Sequence, residues 1–159
     1  MSVPAHLLFL DFDGVLHPHD AHFAVADVKV PIADLLAAGL FVHRQLLDDL
    51  LRPHPSLGLV VHSTWRKTHD LRELRTLLGP LGSRLVGSTA AAMEREASIL
   101  DFMRRRGVRA EQVLVLDDAP SEFSALRSRV VACSPARGLS EAGVQSLLQS
   151  ALGALCRQG

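Results

Sequence analysis

The chain has 159 residues, 48% of them hydrophobic and 21% charged, a composition typical of one soluble globular domain with its own core. Its formal net charge is zero and its pI is near 7.1, so strong non-specific binding to nucleic acid is not expected. No apolar run is long enough to span a membrane and no leader pattern opens the chain, so the sequence predicts a cytoplasmic protein without a membrane partner.

The first third of the chain begins with an apolar run over Val3 to Phe12 that predicts a buried strand. Residues 14–39 show no regular pattern, apart from a weak alternation over residues 23–30 that favours a short hairpin or flap. A helix is predicted over His43 to Leu51, because apolar residues recur at helical spacing until two prolines prevent its continuation.

The rest of the chain alternates between strand-like and helix-like segments. We predict strands over residues 57–62, 81–86, 113–116 and 130–133, and helices over residues 65–78, 94–106, 120–127 and 140–156. This alternation indicates an α/β fold, a three-layer Rossmann-like sandwich whose central, mostly parallel five-stranded sheet carries helices on both faces. We expect the first strand to be central, flanked by the second and fourth.

Polar side chains follow three of the predicted strands where each strand ends. They are Asp11 and Asp13, Ser63 and Thr64, and Asp117 and Asp118. Because the carboxyl ends of parallel strands meet at one edge of a sheet, where ligands bind, these side chains are expected to converge. Carboxylate oxygens in such a cluster suit Mg²⁺, which leaves coordination positions for a substrate phosphate. Gly14 permits a sharp backbone turn beside them.

The two acids of the first strand can take different chemical roles. Asp11 and Asp13 point the same way along a strand and would repel each other unless a cation or a proton separates them. With a metal neutralising the cluster, Asp11 can act as a nucleophile and Asp13 can move a proton. Ser63 can hydrogen-bond a phosphoryl oxygen, but phosphoryl transfer also needs a cation to offset the developing charge.

These motifs resemble those of the haloacid dehalogenase (HAD) superfamily of aspartyl phosphotransferases. Asp11-Phe12-Asp13-Gly14-Val15-Leu16 resembles its first motif, Ser63 its second, and Asp117-Asp118 its acidic fourth, over roughly residues 6–135. A first motif extended by His17, with Ser-Thr-Trp-Arg at residues 63–66, is similar to the HAD-like domain found in RNA-repair proteins.

The resemblance implies a Mg²⁺-dependent phosphatase, a phosphomonoester hydrolase that forms an aspartyl-phosphate on Asp11. It implies that Asp13 is the general acid and base, with its backbone carbonyl on the metal. Ser63 would be the phosphate-binding hydroxyl, with Thr64 as the alternative. The metal ligands implied besides Asp11 and Asp13 are Asp118, as the principal acid, and its partner Asp117.

The third motif of the family departs from the usual pattern, since no lysine lies between Lys67 and the fourth predicted strand. Arg95, at the start of the helix over residues 94–106, is the preferred candidate for the missing cation. Arg66 is the competitor, because it lies only three residues beyond Ser63. Gly14, His17 and Arg66 are further candidates for contact with substrate.

Several of these residues also have ordinary structural interpretations. Ser63 or Thr64 could cap the following helix, and so could either of the paired acids at the fourth strand, since both residue types are favoured at helix starts. The lone Trp65 is interpreted as packing rather than as a base-stacking platform. The histidines of the loop after the first strand are interpreted as a solvent-exposed polar loop rather than as metal ligands: His17, His19 and His22.

The sequence is expected to form a single domain over residues 1–159, in which residues 17–39 form a small insert and not a full cap. The phosphorylated substrate is expected to be a small molecule or a phosphorylated nucleic-acid end. The absence of a lid favours recognition of a larger partner, such as a nucleic-acid end or a phosphoprotein. The alternative function is a catalytically weak or inactive phosphate-binding or interaction domain associated with nucleic-acid end processing. A phosphoryl-accepting receiver is rejected, since no aspartate ends the strand after Leu57.

Overall fold

The computed structural model describes residues 3–20 and 29–157, which form a five-stranded, all-parallel sheet with helices around it. Its strands, in chain order, are β1 (Leu7–Leu10), β2 (Gly58–Val61), β3 (Leu85–Ser88), β4 (Val113–Asp117) and β5 (Val130–Ala132). The order across the sheet is β3-β2-β1-β4-β5. The expected α/β sandwich is therefore confirmed, with the first strand central and flanked by the second and fourth.

The register explains why the strand ends come together. Leu7 pairs with Gly58 on one side and with Val113 on the other, so β1, β2 and β4 run level with each other. Leu10 then lies beside both Val61 and Leu116, and the residues after these strands emerge at one edge. Three strands that start and stop together thus deliver their terminal residues to the same place.

Both faces of the sheet are buried, which is why its strands are continuous apolar runs and not alternating ones. One face, which includes Leu8, Leu10 and Leu59, packs against apolar residues of four helices. The opposite face, which includes Leu7 and Phe9, packs against a single helix and the segment after β4. The strands consequently lie in the middle of three layers.

The helices are α1 (Ile32–Ala37), α2 (Arg44–Leu51), α3 (Leu71–Leu78), α4 (Arg95–Arg106) and α5 (Ala142–Arg157). The α4 helix lies on the second face, where Ile99, Phe102 and Met103 contact the sheet core. It ends at Gly107, whose φ of 65° is the left-handed conformation that glycine adopts readily. No helix in residues 3–20 and 29–157 is long and apolar enough to cross a membrane.

The helix predicted over residues 65–78 is wrong in its first third. A single helical turn covers Thr64–Lys67, the chain then breaks, and α3 begins only after Asp70. Asp70 and Glu73 form a reciprocal capping box, in which the Asp70 side chain accepts from the Glu73 N–H and the Glu73 side chain from the Asp70 N–H. That local capping outweighs continuation of the first turn.

Three other element predictions need correction. The stretch over residues 14–39 is not wholly irregular, because it contains α1. The helix over residues 120–127 is replaced by two single turns, Pro120–Glu122 and Arg127–Arg129. Leu81 lies in the turn Gly79–Arg84, so the third strand starts later than predicted. Most of the predicted flap over residues 23–30 lies outside the described residues.

Candidate active site

The loop after β1 folds back tightly on itself. Gly14 has a φ of 75°, and its N–H donates to the carbonyl of His17 at 2.9 Å. A Cβ placed on Gly14 would lie 2.2 Å from Oδ2 of Asp118. Two features therefore require glycine at this position: the left-handed backbone conformation and the close approach of Asp118.

Asp11 lies at the centre of the sheet edge and is only 6% exposed. Its Oδ1 accepts a hydrogen bond from the N–H of Phe12 at 2.8 Å, and its Oδ2 lies 3.5 Å from Nη1 of Arg95. Its own N–H donates to the carbonyl of Leu116, which ties the residue to β4. The side chain is thus fixed by the backbone on one oxygen while the other faces the cation.

Asp13 is held by two rings. Nε2 of His17 lies 2.7 Å from Oδ1 of Asp13, and the indole N–H of Trp65 donates to both carboxylate oxygens, at 3.2 and 3.3 Å. His17 was expected in a solvent-exposed loop, which is wrong: it is 0% exposed and packs edge-on against Phe41. Its Nε2 faces Asp13, and the contact between His17 and substrate stays a prediction.

His19 and His22 have different positions. His19 is half-exposed, and its Nδ1 lies 3.2 Å from Oδ2 of Asp118. His22 lies outside the described residues.

Asp117 is fully buried, and both of its carboxylate oxygens accept hydrogen bonds. Oδ2 is 2.7 Å from Nε2 of His62, and Oδ1 accepts from the N–H of Ala119 at 2.8 Å and from Nη1 of Arg95 at 2.5 Å. Burial lowers the pKa of His62, which favours the neutral ring. Because a carboxylate accepts hydrogen bonds, Nε2 of His62 is the donor to Asp117. Asp117 is therefore a buried anchor for Arg95.

Arg95 lies among the acids of the site. Besides Asp117, its Nη1 lies 3.5 Å from Asp11 and 3.9 Å from Oδ1 of Asp118, while its Nε lies 2.8 Å from Glu122. The first turn of α4 also carries Glu96, whose carboxylate accepts from the N–H groups of Ser124 and Leu126. The start of α4 is thereby tied to the segment after β4, which fixes where the guanidinium lies.

Arg66, the competing cation, donates its hydrogen bonds to backbone carbonyls. Its guanidinium donates to the carbonyls of His62, Ser63, Ala90 and Met93, at 2.7, 3.0, 3.4 and 2.6 Å. These contacts join the end of β2 to the loop before α4. The geometry therefore makes Arg66 a brace for the backbone and leaves Arg95 as the arginine that contacts the acidic cluster.

Ser63 and Thr64 differ sharply in exposure. Ser63 is 1% exposed and caps the turn Thr64–Lys67, because its Oγ accepts from the N–H of Trp65 at 3.4 Å. Thr64 is exposed to solvent. The capping interpretation of Ser63 is thus observed, and it places the Ser63 hydroxyl at the start of a helical turn beside the acidic edge.

The acids repel each other in the absence of a neutralising ion. Burial raises the pKa of Asp11 well above its usual range, and the charge of Asp117 raises it further. Burial and Asp117 likewise raise the pKa of Asp118. Burial would raise the pKa of Asp117 too, but the hydrogen bond from His62 and the charge of Arg95 outweigh it. The resulting excess of negative charge favours a divalent cation.

The donor atoms fit a hard cation. One ligand atom each from Asp11, His62 and Asp117 lie within 4.8 Å of one another. His62 already donates to Asp117, however, and imidazole is a ligand that Mg²⁺ rarely uses. Asp118 follows β4 directly and lies against Gly14, and Nη1 of Arg95 is within 3.9 Å of both Asp11 and Asp118. Carboxylate oxygens are the ligands that Mg²⁺ prefers, so the acids at this edge could hold such an ion.

Replacing Gly14 with alanine is expected to disrupt this edge. The methyl group would clash with the Asp118 side chain, and the left-handed backbone itself costs about 1–2 kcal/mol for a residue with a Cβ. We expect a melting temperature lower by at least about 2–4 °C, measured by thermal unfolding, and loss of metal-induced stabilisation. Gly143, which has open space around its Cβ position, gives the matched control as Gly143→Ala; equal behaviour of the two variants would contradict the prediction.

Sequence reasoning missed His62 and did not predict the contacts that His17 and Trp65 make with Asp13. His62 lies beneath Asp117, while His17 and Trp65 both contact Asp13. The only sequence signal for His62 is a histidine at the end of an otherwise apolar strand, directly before Ser63. The contacts of Trp65 and His62 join residues 52 and 55 positions apart, so local patterns cannot reveal them.

Comparison with known proteins agrees with this arrangement. The family described as the HAD domain in Swiss Army Knife RNA repair proteins matches residues 7–144, which include β1 to β5 and every candidate site residue. Searches of curated proteins and of solved structures found no match. The family match spans most of the chain, and the five-stranded parallel sheet with helices around it is consistent with this family. The chain belongs to the family of HAD domains in Swiss Army Knife RNA repair proteins.

Proposed function

We propose that this chain is a Mg²⁺-dependent phosphatase that hydrolyses phosphomonoesters through an aspartyl-phosphate on Asp11. The observation that carries the proposal is the position of Arg95, whose guanidinium contacts Asp11, Asp117 and Asp118 at the carboxyl edge of the sheet. A single cation among buried acids can offset charge on a transferring phosphoryl group. If these residues only formed ion pairs that stabilise the fold, this edge would not need more acids than cations.

In the first step, Oδ2 of Asp11 attacks phosphorus and the bond from phosphorus to the leaving oxygen breaks. The N–H of Phe12 holds the other oxygen of Asp11 in place. Asp13 gives its proton to the leaving oxygen, and its carboxylate then removes a proton from the water that hydrolyses the aspartyl-phosphate. The Ser63 hydroxyl, which caps the turn Thr64–Lys67, is proposed to donate a hydrogen bond to a phosphoryl oxygen.

The residues that would hold Mg²⁺ are Asp11, Asp117, Asp118 and the backbone carbonyl of Asp13. Asp117, predicted as a second acidic ligand, stays in the proposed ligand set because one of its oxygens belongs to the group of ligand atoms within 4.8 Å of one another that includes Asp11. Its oxygens also accept hydrogen bonds from His62, Arg95 and Ala119, so it orients Arg95 as well. When bound, Mg²⁺ supplies the positive charge that lets the buried carboxylates and a phosphate share one site.

The substrate is proposed to be a phosphate group at the end of an RNA strand, with a small phosphorylated molecule as the alternative. The family to which the chain belongs is described from RNA repair proteins, which supports the former. The near-zero net charge argues that such a substrate would be recognised at its phosphorylated end and not along a tract of backbone.

The test is phosphate release by the protein with Mg²⁺ and with excess chelator. The substrates are an aryl phosphate and oligonucleotides phosphorylated at either end, in RNA and DNA versions. We expect Mg²⁺-dependent release from the aryl phosphate and faster release from one class of RNA end. Inactivity on the whole panel, with phosphate binding retained, would instead favour the inactive phosphate-binding domain.

Mg²⁺ is expected to stabilise the fold, and Asp118→Asn to abolish that response. At a Mg²⁺ concentration about 100 times its Kd, binding contributes about 2.7 kcal/mol, which raises the melting temperature by about 5–10 °C. The Asp118 pKa is raised in the folded protein, so stability is lost as the pH rises through that pKa and the carboxyl ionises. The metal-free variant should therefore melt higher than the metal-free wild type at neutral pH.

Thermal unfolding with and without Mg²⁺ measures both effects. The exposed Asp34 supplies the control Asp34→Asn, which should leave the Mg²⁺ response unchanged. A full Mg²⁺ response in Asp118→Asn would remove Asp118 from the proposed ligand set.

A further inference from the structure

We propose that His17 and Trp65 are positioning residues that aim the Asp13 carboxyl for proton transfer. The inference rests on the proposed function, because it assigns how the proposed general acid of that reaction is held. In this inference His17 contacts Asp13 and not the substrate, and Trp65 has a role besides packing. Both residues act through Asp13.

His17 can donate to Asp13 in only one tautomer, and its surroundings select that tautomer. Its Nδ1 accepts the N–H of Phe41 at 3.2 Å, so the ring proton lies on Nε2, which faces Oδ1 of Asp13 at 2.7 Å. The ring is 0% exposed and edge-on to Phe41, with centroids 4.9 Å apart. A buried ring fixed on one nitrogen cannot easily turn the other away from the acid.

Trp65 contributes a second fixed donor from another part of the fold. Its indole N–H lies 3.2 Å from Oδ1 and 3.3 Å from Oδ2 of Asp13. The ring is 5% exposed and packs against Phe41, with centroids 5.1 Å apart. Since Trp65 also belongs to the turn capped by Ser63, the acid and the proposed phosphate-binding hydroxyl are connected through one residue.

The two donors favour one arrangement of the acid. His17 contacts Oδ1 at 2.7 Å, whereas the indole N–H is shared between Oδ1 and Oδ2 at 3.2 and 3.3 Å, so the His17 contact leads us to place the transferable proton on Oδ2 of Asp13. That proton passes to the leaving oxygen as its bond to phosphorus breaks and the bond from Asp11 to phosphorus forms. Misplacing a proton donor by about 1 Å can cost about 100-fold, so rigid rings behind the carboxyl affect the rate without touching substrate.

The test uses substrates that differ in their need for a proton. Phenyl phosphate has a basic leaving group that must be protonated, whereas dinitrophenyl phosphate has a leaving group that departs as the anion. The value of kcat/KM reports the first phosphoryl transfer, where Asp13 acts as the acid. We therefore compare kcat/KM for both substrates across four variants: Trp65→Phe, His17→Asn, His17→Gln and Phe41→Leu.

Trp65→Phe keeps an aromatic ring but removes the indole donor. His17→Asn keeps an acceptor near the Phe41 N–H but cannot reach Asp13, while His17→Gln places an amide N–H near the former Nε2. We expect Trp65→Phe and His17→Asn to lose roughly 10- to 100-fold on phenyl phosphate and under about 3-fold on dinitrophenyl phosphate. His17→Gln should recover a large part of the loss. Phe41→Leu disturbs the packing around the same two rings and should lower kcat/KM by the same factor for both substrates.

An equal loss on both substrates in Trp65→Phe and His17→Asn would overturn the inference, since a structural role predicts that result. Wild-type inactivity on both substrates would overturn the proposed function itself, and the inference with it. If His17→Asn does not fold, the comparison of Trp65→Phe with Phe41→Leu decides the question alone.

A measurement without turnover checks the contact directly. Trp65 is the only tryptophan in the chain, so a proton–nitrogen correlation spectrum contains one indole N–H signal. Replacing Asp13 with alanine should shift that signal upfield and speed its exchange with solvent, whereas Asp34→Ala should not move it. An indole signal unchanged by Asp13→Ala would overturn the assignment of Trp65.

Discussion

Asp11→Asn is expected to reduce Mg²⁺-dependent phosphate release by about 10⁴-fold or more, because an amide cannot replace the attacking carboxylate. Asn is close in size to Asp and can still accept the Phe12 N–H through its carbonyl oxygen. The substitution also removes one negative charge from a buried, mutually repelling cluster, and burial is the main reason that the Asp11 pKa is raised. The folded protein should therefore be at least as stable as wild type when metal-free.

Two measurements separate loss of the nucleophile from loss of the fold. Initial rates on an aryl phosphate give the activity, and mass spectrometry after rapid acid quench detects phosphate attached to the protein. Wild type should show the attached phosphate, and Asp11→Asn should show neither attached phosphate nor turnover. Asp34→Asn, at an exposed position on α1, should behave as wild type. Activity that survives Asp11→Asn would end the proposal that Asp11 is the nucleophile.

Arg95→Ala is expected to lower kcat/KM by about 10²- to 10³-fold, which is typical of removing one preorganised charge donor from a transition state. Nη1 of Arg95 lies 3.5 Å from Asp11 and 2.5 Å from Asp117, so its loss leaves the acids without their nearest cation. The metal-free variant should also lose stability, and Mg²⁺ should restore a large part of it. Arg95→Lys should recover some activity, but a single ammonium cannot contact Asp117 and Glu122 as the guanidinium does.

Arg66→Ala is the matched comparison. It should lose more stability and less activity than Arg95→Ala. Four backbone carbonyls lose the guanidinium as a donor, although those of Ser63 and Ala90 keep a backbone N–H donor. This loss is expected to cost about 1–3 kcal/mol and to lower the melting temperature by about 3–10 °C. The activity that remains below the melting temperature should fall far less than in Arg95→Ala. A normal rate of phosphate release in Arg95→Ala, combined with a severe loss of that rate in Arg66→Ala, would mean that Arg66 and not Arg95 is the catalytic cation.

The sheet could be predicted because its information is local. Leu7 to Leu10 and Val113 to Leu116 are unbroken apolar runs, which suit strands buried on both faces. Each run ends in acids, and the parallel arrangement of strands brings such ends together. The helix boundaries were harder, since the capping box at Asp70 and the turns after Pro120 outweigh a pattern that extends smoothly through them.

The sequence by itself determined the central strand, the common edge and the types of residue gathered there. Only the tertiary structure decided how those residues are divided: Arg95 contacts the acids, Arg66 braces the backbone, Asp117 is bound by His62, and His17 is buried behind Asp13. The physical reason is that periodicity reports which face a residue occupies, whereas hydrogen bonds between distant segments depend on how loops close after the strands. The pair Asp11 and Asp13 was therefore visible at once, and the rings that hold Asp13 were not.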